Sequence, residues 1–190
     1  DHVYYHDYHG WRATMHGVTE AVNAFTAERD ERLVAASFFT AADSVVATVS
    51  LYGSFQGGVL GDLRSTVVNT FEHPGLHTVD FPDTMVLSYG DPFYLHLSLS
   101  SGGQPYDCTS NVEILMGAKY RATVRSSAEP GESFYNSAGV WYDLTDTNPT
   151  ANFCVKAFTL RDGMFITPDI GFYPQGPEGG PVSPSAVSYR

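Results

Sequence analysis

The chain has 190 residues, 43% of them hydrophobic and 14% aromatic but only 16% charged, a charged share well below the roughly 25% usual in soluble domains. Twenty-one acids against ten Lys and Arg leave a formal net charge of −11, which excludes the basic footprint that nucleic-acid binding or anionic lipid would need. No apolar run reaches the roughly 18 residues of a membrane span, and Asp1-His2-Val3-Tyr4 opens with neither a signal-peptide pattern nor an initiator Met, so an upstream segment is expected to have been removed.

His2, His6, His9 and His16 gather near the N-terminus around Asp7. On an extended strand His2 and His6 share a face while His9 points away, so three or four of them are not expected to converge on zinc or copper. Glu20–Arg29 reads as one or two helical turns or equally as a strand. Glu28, Asp30 and Glu31 crowd the turn that follows it, and Asp43 sits in the next loop. Such oxygens suit calcium, although no EF-hand loop is present and a solvated turn explains them as well.

Leu33–Thr40 is a candidate strand. Val45–Tyr52 places Val45, Ala47, Val49 and Leu51 on one face, and Phe93–Leu99 does the same with Phe93, Leu95, Leu97 and Leu99, which is the period-2 alternation of half-buried strands. That alternation turns Tyr94 and His96 outward, where tyrosine can stack on the apolar face of a sugar ring while polar groups take its hydroxyls. Tyr106, near a turn, joins them as a candidate. Gly75–Phe81 holds His77 in alternation with Val79 and Phe81 and predicts a hydrogen-bonded core or rim histidine. Glu113–Met116, Ala118–Ser126 and Asn152–Leu160 complete the strands, with Gly57-Gly58, Gly90-Asp91-Pro92, Gly102-Gly103 and Pro130-Gly131 among the turns. Trp11 and Trp141 are expected in the core.

Many short strands at this spacing predict an all-β sandwich or barrel. Beyond residue 160 Pro and Gly dominate, so 1–160 is expected as one domain and 161–190 as a linker with at most one strand, Ala186–Tyr189. Cys108 and Cys154 lie outside any nucleophile motif. In an oxidising compartment they would close a loop of about 46 residues, worth roughly 4 kcal/mol on a chain-entropy estimate; spacing leaves open whether they pair. No G-x-S-x-G elbow is present, and no catalytic set is expected.

A longer pattern connects these pieces. Tyr8-His9-Gly10-Trp11, Ala24-Phe25-Thr26-Ala27, Asp30-Glu31-Arg32-Leu33, Ala36-Ser37-Phe38-Phe39-Thr40, Gly75-Leu76-His77-Thr78-Val79-Asp80-Phe81, Gly90-Asp91-Pro92-Phe93, Pro130-Gly131-Glu132-Ser133-Phe134, Trp141-Tyr142-Asp143-Leu144 and Ala151–Phe158 follow in order. Together they resemble the lectin-like domain of bacterial surface papain-like cysteine proteases, over about residues 3–160. The resemblance implies a jelly-roll-like β-sandwich similar to carbohydrate-binding modules, secreted or at the cell surface and sometimes holding calcium. Asn23 and Glu31 are its candidate calcium ligands here. The peptidase is not in this sequence, so proteolysis does not carry over. Phe172–Ser185 resembles the opening of a bacterial immunoglobulin-like repeat. Two functions are then expected in competition. One is an accessory module for a glycan or cell-wall polymer. The other is a structural subunit, a homo-oligomer among its forms, whose terminal strand pairs with a neighbour's sheet edge.

Overall fold

A computed structural model of the chain describes residues 1–113 and 121–161. The tail strand Ala186–Tyr189, the Phe172–Ser185 segment and most of the Glu113–Met116 strand lie outside these residues. In chain order the strands begin with β1 His2–Tyr4, β2 Ala13–Met15, β3 Glu20–Thr26, β4 Glu31–Thr40 and β5 Val45–Gln56. They continue with β6 Val59–Phe71, β7 Gly75–Leu87, β8 Pro92–Leu99, β9 Gln104–Asp107 and β10 Ser110–Glu113. β11 Arg121–Val124, β12 Ser133–Ser137, β13 Val140–Asp143, β14 Asn152–Phe153 and β15 Val155–Arg161 complete them. One 3-10 turn covers Leu144–Asp146, and no α-helix occurs among the described residues.

The strands form an antiparallel sandwich. One sheet has the order β1-β15-β4-β7 and the other β13-β12-β3-β8-β5-β6. A small sheet, β14-β9-β2, and the β10-β11 hairpin complete the described fold. Neighbours such as β3 with β8, or β15 with β4, are far apart in sequence, so the chain crosses repeatedly between sheets. Alternation explains which faces meet. Phe93, Leu95, Leu97 and Leu99 of β8, and Val45, Ala47, Val49 and Leu51 of β5, are all at most 1% exposed. They join Leu33, Phe38, Val155 and Ala157 from the opposite sheet in one core. Removing that much apolar surface from water is the main force holding the sheets together.

The segment from Glu20 resolves as strand rather than helix, because Ala21 and Phe25 must both face the core between β8 and β12. β6 carries almost no signal in the sequence: it is an outer strand, and Ser65 is its single buried residue. The strand read over Gly75–Phe81 continues to Leu87, with Met85 and Leu87 adding to the core. His77 is the rim histidine that its alternation suggested. Its Nε2 lies 2.9 Å from Thr40 Oγ1, and its ring stacks on Phe71 at 4.0 Å. The tryptophans depart from expectation. Trp11 is 37% exposed and donates to Thr14 Oγ1, and Trp141 is half-buried on the outer face of the six-stranded sheet. Trp11 packs against Phe39, and Trp141 against Phe55 and His96, and each stays partly in water, as an amphipathic indole favours.

Candidate ligand-binding site

Since odd-numbered residues of β8 face the core, Tyr94 and His96 project from the outer face of the six-stranded sheet. Registry brings further side chains beside them. Tyr94 pairs across to Ala24 and Tyr52, and His96 to Val22 and Ser50. Phe134 of β12 pairs with Val22, and Asp143 of β13 with Phe134. The tip of the β5–β6 hairpin extends past the last β8 pairing at Tyr52 and brings Phe55 onto the cluster. Its ring lies 5.9 Å from Tyr94, 5.0 Å from Phe134 and 5.6 Å from Trp141, edge-on to each. Edge-to-face contacts of this kind add about 0.5–1.5 kcal/mol each beyond burial. The turn that makes this possible is Gly57-Gly58, both at positive φ (57° and 77°), as a two-residue mirror-image turn requires.

His96 lies within this ring of aromatics, 5.9 Å from Trp141 and 6.2 Å from Tyr52. Its side chain is 13% exposed, and Glu20 Oε1 stands 3.9 Å from Nε2. Both ring nitrogens are shielded from solvent, with no hydrogen-bond partner among the described residues. Burial pushes the imidazole below its usual pKa, with Glu20 opposing. A neutral imidazole presents one donor and one acceptor, a pair that matches the two roles of a sugar hydroxyl.

Tyr94 also lines an open groove of about 640 Å³ that runs between β1 and the rim of β3. Tyr5, half-exposed, stands on its wall. His6 stacks on Phe25 at 4.6 Å and 12°, contacts Ala24 O at 2.7 Å, and places Nδ1 3.3 Å from Glu132 Oε1. Across from it, His2 Nε2 lies 3.4 Å from Glu28 Oε2. Aromatic faces, imidazoles and carboxylates therefore share one surface.

Of the residues singled out from the sequence, the fold unites Tyr94 and His96. Tyr106 lies elsewhere, on β9 between β2 and β14, where it packs against the core and burial pushes its phenol up. Tyr52, Phe55, Phe134 and Trp141 join the site without having been read as ligand-facing. For Tyr52 the outward parity of β5 was available as a signal, but for the other three the decisive hairpin contacts are non-local.

The four candidate calcium ligands do not come together. Asn23 is fully buried on the inner face, where Nδ2 donates to Phe153 O and Val155 O and Oδ1 accepts from Ser133 Oγ. Glu31, also buried, accepts from the Tyr4 and Thr159 hydroxyls. Asp30 accepts from Tyr89 N–H at 2.9 Å. Asp43 lies beyond the far end of the ten-residue β4, about 30 Å from Glu31 at the usual strand rise. This donor set does not fit one calcium ion. Among the described residues no group of three or more His, Cys, Asp or Glu is arranged to hold a metal. Cys108 and Cys154 are both buried free thiols; burial pushes both up, Cys154 strongly.

The family described as "Lectin like domain" matches residues 3–159. Two solved structures are similar. One is the clostridial cysteine protease Cwp84 after propeptide cleavage, at 16% identity and TM-score 0.62, covering 84% of this chain and 40% of that one. The other is the cysteine protease and lectin-like domains of Cwp84, a surface layer associated protein of Clostridium difficile. It matches at 19% identity and TM-score 0.55, covering 75% of this chain and 32% of that one. The chain thus spans at most two fifths of the structures it resembles, and at these identities the likeness shows the fold. No curated protein sequence matches it.

Proposed function

The chain belongs to the lectin-like domain family, and from that premise we propose that it is a non-catalytic, surface-associated binding module for a glycan or cell-wall polymer. The observation that carries this reading is His96, a largely buried imidazole whose two nitrogens make no hydrogen bond among the described residues, inside a ring of aromatic side chains. An unpaired buried polar group costs about 1–3 kcal/mol, and a hydroxyl-rich ligand near Tyr94 that displaces a neighbouring ring would recover it. A binding role suits the groove better than hydrolysis. Glu132 Oε2 accepts from Asn152 Nδ2 and Glu129 N–H while Oε1 faces His6, so that carboxylate is occupied in holding the fold. A cell-surface location is supported by the similar structure from a surface layer associated protein.

Glycan-array binding and titration calorimetry on cell-wall polysaccharide, with and without chelator, test the reading. Tyr94→Ala and His96→Ala are each expected to weaken binding about tenfold or more, the equivalent of about 1.4 kcal/mol. Chelator is the arm that tests calcium. Absence of binding to every glycan in both conditions, or full affinity in both variants, would sink the proposal.

A second reading has its own observation. β6 closes one edge of the six-stranded sheet over 13 residues, with Val59, Leu63 and Val68 exposed. Such an edge suits pairing with a strand of a partner or of a second copy. Light scattering that reports a concentration-dependent oligomer, abolished by a proline in β6, would favour it.

A further inference from the structure

The first and last strands of the described chain lie side by side, β1 against β15 with Tyr4 opposite Ala157. Three residues past β1 the chain buries Asp7, whose side chain is 0% exposed, against Lys156 of β15. Lys156 Nζ stands 2.6 Å from Oδ1 and 2.5 Å from Oδ2. A nitrogen so placed is within about 3 Å of the carbon between those oxygens, given C–O bonds near 1.25 Å, and so within the reach of a near-attack arrangement of about 3–3.5 Å. The Tyr5 ring covers the amine at 5.0 Å.

A further carboxylate, Asp107, acts on Asp7 through its charge, and no hydrogen bond joins it to the pair. Asp107 is fully buried; its Oδ2 accepts from Tyr8 N–H, His9 N–H and Ser126 Oγ–H. Its Oδ1 is shielded from solvent, with no hydrogen-bond partner among the described residues. Burial pushes the Asp7 carboxyl up, Lys156 opposes this, and the charge of Asp107 adds to the rise. An ion pair held in such surroundings bears a desolvation cost, and condensation to a neutral amide removes both charges.

We propose that Asp7 and Lys156 are joined by an intramolecular isopeptide bond. A proton first passes from the Lys156 ammonium to the Asp7 carboxylate, leaving a neutral amine beside a neutral acid. The Nζ lone pair attacks Cγ, the C–N bond forms, and the carbonyl π pair moves onto oxygen. The nitrogen passes a proton to the departing hydroxyl as the C–O bond breaks and the carbonyl reforms. Acid and amine become amide and one water, with no oxidant, reductant or cofactor.

Intact-mass spectrometry of the purified chain tests this directly. The expected mass lies about 18 Da below that of the sequence, one water, and fragmentation should yield a branched peptide linking the Asp7 and Lys156 segments. Lys156→Arg, which keeps the cation but is not expected to close the amide, should run at its full sequence mass. Wild-type protein at its full sequence mass, with no branched peptide, overturns the proposal and leaves a buried ion pair. A deficit that persists in Lys156→Arg places the lost water elsewhere and overturns it equally.

Discussion

Carboxylates and amides are read from a sequence as donors and acceptors in search of a ligand, and this chain shows where that inference stops. Asn23 and Glu31 have the chemistry of metal ligands, yet their oxygens are used inside the sandwich by Ser133, Tyr4 and Thr159. Tyr4 in turn is pushed up to about 12, chiefly by burial and with Glu31 adding to the rise. His96 is the contrasting case, a polar side chain whose neighbours leave it unsatisfied. Its lowered pKa has a definite sign. The unfolded imidazole binds a proton near pH 6.5 and the folded one resists it, so the stabilisation is complete above about pH 6.5 and is lost as pH falls through the folded value. Urea melts at pH 8 and pH 5.5 should therefore show a fall in stability that is smaller in His96→Phe. An equal fall in both proteins would remove His96 from the acid response. The outward parity of Tyr94 and His96 was legible from β8 alone, because alternation is a local property. Their desolvation was not, because it depends on Phe55 and Trp141, which arrive from distant hairpins.

At the level of elements, a buried polar chain holds β12 and β14 to β3. Ser133 Oγ lies 2.9 Å from Asn23 Oδ1 and 2.8 Å from Asn152 Oδ1, and accepts from Phe153 N–H at 3.2 Å. All three side chains are at most 1% exposed. Such networks are costly when partly satisfied. Asn23→Ala would strand two backbone carbonyls and weaken the tie to Ser133. It is expected to cost about 3 kcal/mol or more, read by urea denaturation, with amide exchange rising first in the β12–β13 hairpin. That hairpin carries Phe134 and Trp141, so glycan affinity should fall with it. The strands with a fully buried face, β5 and β8, were readable because one side of each is wholly apolar. β6 was not, since an outer strand with a single buried residue has no alternation to display. The outward position of Trp141 was not readable for a related reason: the four-residue β13 is too short to show which way its indole points.

For the whole molecule, Arg161 is the last residue of β15 and of the described strands, and the lectin-like match ends at residue 159. A chain ending after Arg161 is therefore expected to keep the melting temperature of the 190-residue chain within about 2 °C, since about 1 kcal/mol moves a domain of this size by about 2–4 °C. A larger loss, measured by calorimetry, would show that the segment beyond Arg161 belongs to the folded unit. The acidic balance takes on a place as well, with Glu28 and Glu132 lining the groove beside aromatic faces, a surface suited to neutral hydroxylated ligands rather than polyanions.

By itself the sequence determined the all-β class, the apolar faces of the long inner strands, the exclusion of a basic partner surface, and the outward position of Tyr94 and His96. Each of these follows from composition or from a two-residue period, which the chain displays locally. Only the tertiary structure decided which side chains meet. Asp7 and Lys156 are 149 residues apart in sequence and in contact in space, and Asn23 reaches Phe153 across 130. In an antiparallel sandwich the pairing of strands is set by the summed burial of both sheets rather than by any short segment. Buried polar contacts between distant strands therefore have no signature until the sheets are assembled.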